Sequence, residues 1–149
     1  MITTQLHPSL YDTDLFLWSQ TNAQLLKQGR FSELDIQHLI EEIEDMGKSE
    51  QRSINSHLRV LLTHLLKWEF QPKYRGGSCL GSIRNARLAT DDLIKESPSL
   101  KNKPANDLNA TYQQARDLAS DETGLSINTF PSVCRYEITH VLDKNWLPE

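Results

Sequence analysis

Glu50, His57 and His64 stand seven residues apart. At the helical period, that spacing puts all three along one edge of a helix. Carboxylates and imidazoles are the side chains that bind divalent metals and move protons. Seven helical residues separate two side chains by about 10 Å, so no two of these three could share one ion. A metal centre would need carboxylates from a facing helix, as in di-iron bundles that draw Glu-x-x-His pairs from two helices. Asp35-x-x-His38 and Glu137-x-x-His140 have part of that pattern. His38, however, falls off the apolar stripe, and Glu137 belongs to a short terminal element. The expectation is a hydrogen-bonded polar seam with no cofactor. A metal-dependent hydrolase or nuclease built from the same carboxylates and histidines is the alternative.

Arg87 is in helical phase with Leu80, Ile83 and Ile94, so it is expected to point inward. An inward guanidinium needs compensation, because an unpaired buried charge is strongly destabilising. Glu42, from the run Glu41-Glu42-Ile43-Glu44-Asp45, is the first expected partner and Glu50 the second.

A third group interleaves cations with aromatics around a glycine turn: Lys67, Trp68, Phe70, Lys73, Tyr74 and Arg75, then Gly76-Gly77-Ser78. Arg84 follows on the next helix. Such a turn at a helix start suits phosphate, carboxylate or single-stranded nucleic acid. Lys67, Lys73, Tyr74, Arg75 and Arg84 are therefore the candidate binding residues. Their expected partner is an acidic protein segment or a nucleic acid. Self-association into a homo-oligomer stays open, and no membrane is involved. Neither cysteine is a credible catalytic nucleophile on sequence alone, and Cys79, near the helix start beside Arg75, is the more reactive candidate if either is. No nucleophile elbow supports a Ser–His–Asp arrangement.

These residues hang on helices. Between Ser32 and Phe70, Ile36, Ile40, Ile43, Ile54, Leu58, Leu61, Leu65 and Trp68 keep one stripe, which predicts one long helix or two stacked ones. Ser32 with Asp35 resembles a capping box at its start. Gly47 lies on the stripe, where glycine costs about 1 kcal/mol relative to alanine; a close approach or a bend would explain it. A preceding helix begins after Asp12 or Thr13 and stops at Gly29, with Leu15, Trp18, Asn22, Leu25 and Leu26 inward. Further helices are predicted from Ser78 or Cys79 to Glu96 and from about Pro104 to Glu122, with Gly124 as a stop. The inward residues of the latter are Leu108, Tyr112, Ala115, Leu118 and Ala119. A short one follows near Tyr136 to Leu142. No alternating β-branched run occurs. The predicted fold is all-α: one domain, about four main helices plus a short C-terminal one, with residues 1 to about 10 as an N-terminal arm.

Bulk properties fit that outline. The 149 residues carry a net charge of −4, with 24% charged and 38% hydrophobic side chains, as in ordinary globular proteins. No stretch approaches the ~20 apolar residues that span a bilayer, and residues 1–9 lack the pattern of a secretory signal. Two cysteines 55 positions apart read as reduced thiols of a cytoplasmic protein. The charge is unevenly spread. Residues 67–87 sum to +4, while residues 33–50 hold seven carboxylates against Lys48 alone.

Five stretches in order carry a further signal: Tyr11-Asp12-Thr13-Asp14-Leu15-Phe16-Leu17-Trp18, Gly29-Arg30-Phe31, Leu39 through Gly47, His64-Leu65-Leu66-Lys67-Trp68 and Ser97-Pro98-Ser99-Leu100. Glu122-Thr123-Gly124-Leu125 and Phe130-Pro131 complete the series. In these the chain resembles the cyanobacterial domain-of-unknown-function family number 29, from Tyr11 to the end. The resemblance implies an all-helical fold and a bacterial, cytoplasmic origin, and it supplies no catalytic residues.

Overall fold

The computed structural model describes residues 9–149. The arm expected over residues 1 to about 10 lies, for residues 1–8, outside the described residues. Seven α-helices follow in order: α1 (Leu10–Thr13), α2 (Leu15–Lys27), α3 (Ile36–Phe70), α4 (Gly77–Glu96), α5 (Lys103–Asn106), α6 (Leu108–Thr123) and α7 (Ile138–Leu142). Single 3-10 turns punctuate them, and no strand occurs among the described residues. The fold is all-α, as the periodicity predicts. Packing groups the chain into two compact units, the first ending at Gly47 and the second running Lys48–Glu149.

Local chemistry sets the helix ends. Ser9 caps α1, a short helix outside the expected ones, and the Asp14 carboxylate accepts from the Leu17 amide at 2.9 Å, so α2 starts after Asp14 rather than after Asp12 or Thr13. Gly29 and Gly124 take φ of +70° and +71°, the left-handed stop that glycine adopts without a Cβ clash. Ser32 sits in the 3-10 turn Phe31–Glu33 rather than capping α3, because Leu34 is extended (φ −67°, ψ 143°) and the long helix begins only at Ile36. Residues 36–70 then form one helix of 35 residues. The fourth expected helix is divided, at Asp107, into α5 and α6.

In the first unit a polar-aromatic knot ties α2 to the start of α3. The Trp18 indole N–H donates to Asp35 Oδ2 at 2.9 Å, and His38 Nδ1 lies 2.7 Å from the same oxygen. Asn22 Oδ1 accepts from the Asp35 amide at 3.0 Å. Tyr11 stacks on the His38 ring at 4.0 Å and donates its hydroxyl to Glu42 at 2.7 Å. Trp18 and Asn22 are the buried residues here. The polar and stacking contacts at the start of α3 fall on Asp35, just before it, and on His38 and Glu42, about a third of a turn from the isoleucine stripe. Ile36, Ile40 and Ile43 are consequently 53%, 51% and 67% exposed, which corrects the expectation that the whole stripe is core. Leu15 and Leu26 are exposed as well.

The second unit holds the core. Leu58, Leu61, Leu62, Leu65 and Leu66 of α3 pack with Ile83 and Ala86 of α4, Tyr112, Ala115 and Ala119 of α6, Phe130, and Val141 of α7. Here the stripe is fully buried: Ile54, Leu58, Leu61 and Leu65 have no exposed surface. Gly47 is exposed, and a Cβ added there would meet no atom within 4 Å. Close approach of another helix is therefore not its explanation.

Candidate functional site

Arg87 is buried as its phase requires, yet neither Glu42 nor Glu50 pairs with it. Its Nε donates to the Val141 carbonyl at 2.9 Å and an Nη donates to the Trp146 carbonyl at 2.8 Å. Backbone oxygens that α7 and the C-terminal segment leave free take the place of a carboxylate. Burial pulls its pKa below the ordinary value, and nearby Asp143 opposes that shift. Glu42 instead accepts from Tyr11, and Glu50 has a buried Oε2 without a hydrogen-bond partner among the described residues. The seam is thus not one network.

Its histidines diverge too. His57 is half-buried and makes no side-chain hydrogen bond among the described residues. His64 Nδ1 faces Cys79 Sγ at 3.7 Å, and the thiol also donates to the His64 carbonyl at 3.5 Å. Burial first, then Lys67, lowers the His64 pKa. Burial raises the Cys79 pKa against the pull of Lys67. Both shifts favour neutral partners, the reverse of a thiolate–imidazolium pair. Asp35 and His38, half of the expected metal pattern, are held in the Trp18 knot. Among the described residues, no three His, Cys, Asp or Glu side chains converge as a metal would need.

The cationic turn is partly self-satisfied. Lys67 pairs with Glu122 at 3.2 Å. Arg75 lies over the Trp68 ring, 5.1 Å from its centroid, and donates to the carbonyls of Trp68 and Glu149, each at 2.8 Å. It is turned away from the start of α4, so the expected anion cradle there lacks its main cation. Lys73 and Tyr74 remain exposed on the 3-10 turn Pro72–Tyr74. Lys67 and Tyr74 share a cleft of about 410 Å³ with His64, Cys79, Ser78 and Glu122.

Arg84 goes elsewhere. It lines a larger open groove of about 1030 Å³ between α4 and the C-terminal segment, with Leu80, Ile83, Leu88 and Ile94 on one side and Leu142, Lys144 and Leu147 on the other. Leu80, Arg84, Leu88 and Asp91 form one row of α4, at i, i+4, i+8 and i+11. Asp91 is neutralised by Lys95 at 2.8 Å. Arg84 and Lys144 are exposed and have no carboxylate partner among the described residues. Sequence reasoning singled out Arg84 but missed the groove, because its far wall comes from residues more than fifty positions away. The row of α4 was the one signal on offer.

Residues 10–147 match the family described as Domain of unknown function DUF29, and the chain belongs to that family. No curated protein and no solved structure matches the chain. No helix among the described residues is long and apolar enough to cross a membrane.

Proposed function

We propose that this protein is a non-catalytic binding module, with its thiols reduced in the cytoplasm, whose working surface is the α4 groove. Its occupant is an acidic segment of another protein that carries apolar anchors. What supports the reading is the groove itself: open, about 1030 Å³, apolar along Leu80, Ile83, Leu88 and Ile94, with the unpaired cations Arg84 and Lys144 on opposite walls. A ligand with leucine-like anchors and carboxylates would bury apolar surface and meet positive charge together. The exposed Lys73 and Tyr74 on the preceding turn extend the cationic surface.

The test is binding of a synthetic peptide in which Leu or Phe alternates with Asp and Glu. Arg84→Ala with Lys144→Ala is expected to weaken it about tenfold or more without changing helical content. Equal binding to the double variant would defeat the proposal. So would stronger binding of a single-stranded oligonucleotide, whose affinity would fall steeply with salt.

A further inference from the structure

Arg87 does more in the α4 groove than fasten its far wall. Its Nε donates to the Val141 carbonyl and its Nη2 to the Trp146 carbonyl. Its remaining nitrogen, Nη1, has no hydrogen-bond partner among the described residues, yet it is not sealed from solvent. The residue is 7% exposed and lines the groove, so this free donor opens into the groove.

Charge points the same way. The two carbonyls offer dipoles and leave the full positive charge of the guanidinium in place. Among the described residues, no carboxylate lies within ion-pair distance of Arg87. Asp143 acts on it only from farther off, and Asp91, which also lines the groove, is taken by Lys95. A buried guanidinium with a free N–H pair, walled by leucine and isoleucine, holds an anion more strongly than an exposed cation does. The low-dielectric surroundings strengthen the pairing.

Shape selects the anion. Arg84, three residues earlier, neighbours Arg87 on the surface of α4. One oxygen of a planar carboxylate can meet Arg87 Nη1 while the other meets the exposed Arg84. A phosphoryl group would leave oxygen against Ile83, Leu80 and Leu88 without a donor, which is costly. Leu80 and Leu88 stand one helical repeat to either side of Arg84, so apolar contacts flank this point.

We infer that Arg87 Nη1, with Arg84 beside it, forms a carboxylate subsite in the α4 groove, which takes one Asp or Glu standing between two apolar anchors of the bound segment. This rests on the groove being a binding surface for such a segment, as proposed above.

The probe is the alternating peptide of Leu or Phe with Asp and Glu, made as a series in which one acidic residue at a time becomes Asn or Gln. Each is titrated into the full chain. One position is expected to cost about tenfold or more in affinity, and the others about threefold or less. Phosphoserine at that position is expected to bind less well than Glu. In NMR spectra the Arg87 side-chain N–H resonances are expected to shift with the parent peptide and to stay in place with the variant lacking that acid. Arg87→Lys keeps the charge and loses the planar fork. It is expected to shrink the tenfold preference to about threefold or less, with circular dichroism checking its fold. If that variant does not fold, the peptide series and the Arg87 resonances decide. Equal losses at every acidic position would overturn the inference, as would Arg87 resonances that ignore the peptide. The groove reading survives either result so long as Arg84→Ala with Lys144→Ala still weakens the parent peptide. A parent peptide that binds this double variant as well as wild type would defeat the groove reading, and the subsite with it.

Discussion

Arg87 Nε donates to the Val141 carbonyl across 54 residues of chain, at 2.9 Å. With the second bond to Trp146, this guanidinium fastens the C-terminal segment to α4. The contact accounts for an inward arginine in a helix whose nearby carboxylates point elsewhere. A backbone carbonyl that has lost its helical partner is a strong acceptor for a planar, multi-donor cation.

Arg87→Met is therefore expected to destabilise by about 2–3 kcal/mol, because it leaves two carbonyls without their charged donor. Urea denaturation measures this. The double variant with Glu42→Gln should be additive to within about 0.5 kcal/mol. A larger coupling would mean that Arg87 does pair with Glu42.

The isoleucine–leucine stripe of α3 offers a paired comparison. Leu61→Ala opens a cavity in the core and is expected to cost about 2–5 kcal/mol. Ile43→Ala lies on the same face in solvent and should stay within about 0.5 kcal/mol of wild type. Similar losses for the two would mean that the first half of the stripe is covered.

Gly47→Ala should stabilise the protein by about 0.5–1 kcal/mol. Glycine at a helical position keeps excess freedom in the unfolded chain, and a methyl group there meets open space. A lowered melting temperature would show that α3 needs glycine at this position for a reason other than packing.

The Trp18–Asp35–His38 knot predicts a defined pH dependence. Asp35 raises the His38 pKa above its ordinary 6.5, so the charged imidazole favours the folded unit. That contribution is complete below pH 6.5 and is lost as pH rises through the raised value. The Trp18 N–H, then His38, lowers the Asp35 pKa below its ordinary 3.8. This second contribution is present above pH 3.8 and is lost as pH falls through the lowered value. The unit is thus best held between those limits. An NMR titration should place His38 above 6.5 and return it toward 6.5 in Asp35→Asn; a His38 that titrates at 6.5 in the wild type would rule the contact out.

Cys79 should be a slow nucleophile. Burial holds its thiol above the ordinary pKa while Lys67 pulls the other way. Alkylation by iodoacetamide at pH 7, followed by mass spectrometry, should be slower than for a free thiol and slower again in Lys67→Ala. Faster labelling in that variant would mean that Lys67 shields the sulfur rather than acting through its charge.

Much of this architecture was legible in the residues alone. Apolar spacing at 3.6 residues, together with Gly29 and Gly124, determined an all-α chain and most helix ends, because capping and phase are local properties of backbone and side chain. The inward direction of Arg87 followed from the same phase. Its partners did not, since carbonyls freed near a distant helix end leave no mark in the sequence around Arg87. For the same reason the sequence could propose Lys67 and Arg75 as binding cations but not foresee that Glu122 and the Trp68 and Glu149 carbonyls engage them. The sharpest division runs along α3 itself. Periodicity determined that Ile36, Ile40, Ile43, Ile54, Leu58 and Leu61 share one face. Only the tertiary structure decided that the second three are core and the first three are surface, because a helical phase defines a direction and says nothing of what lies in it.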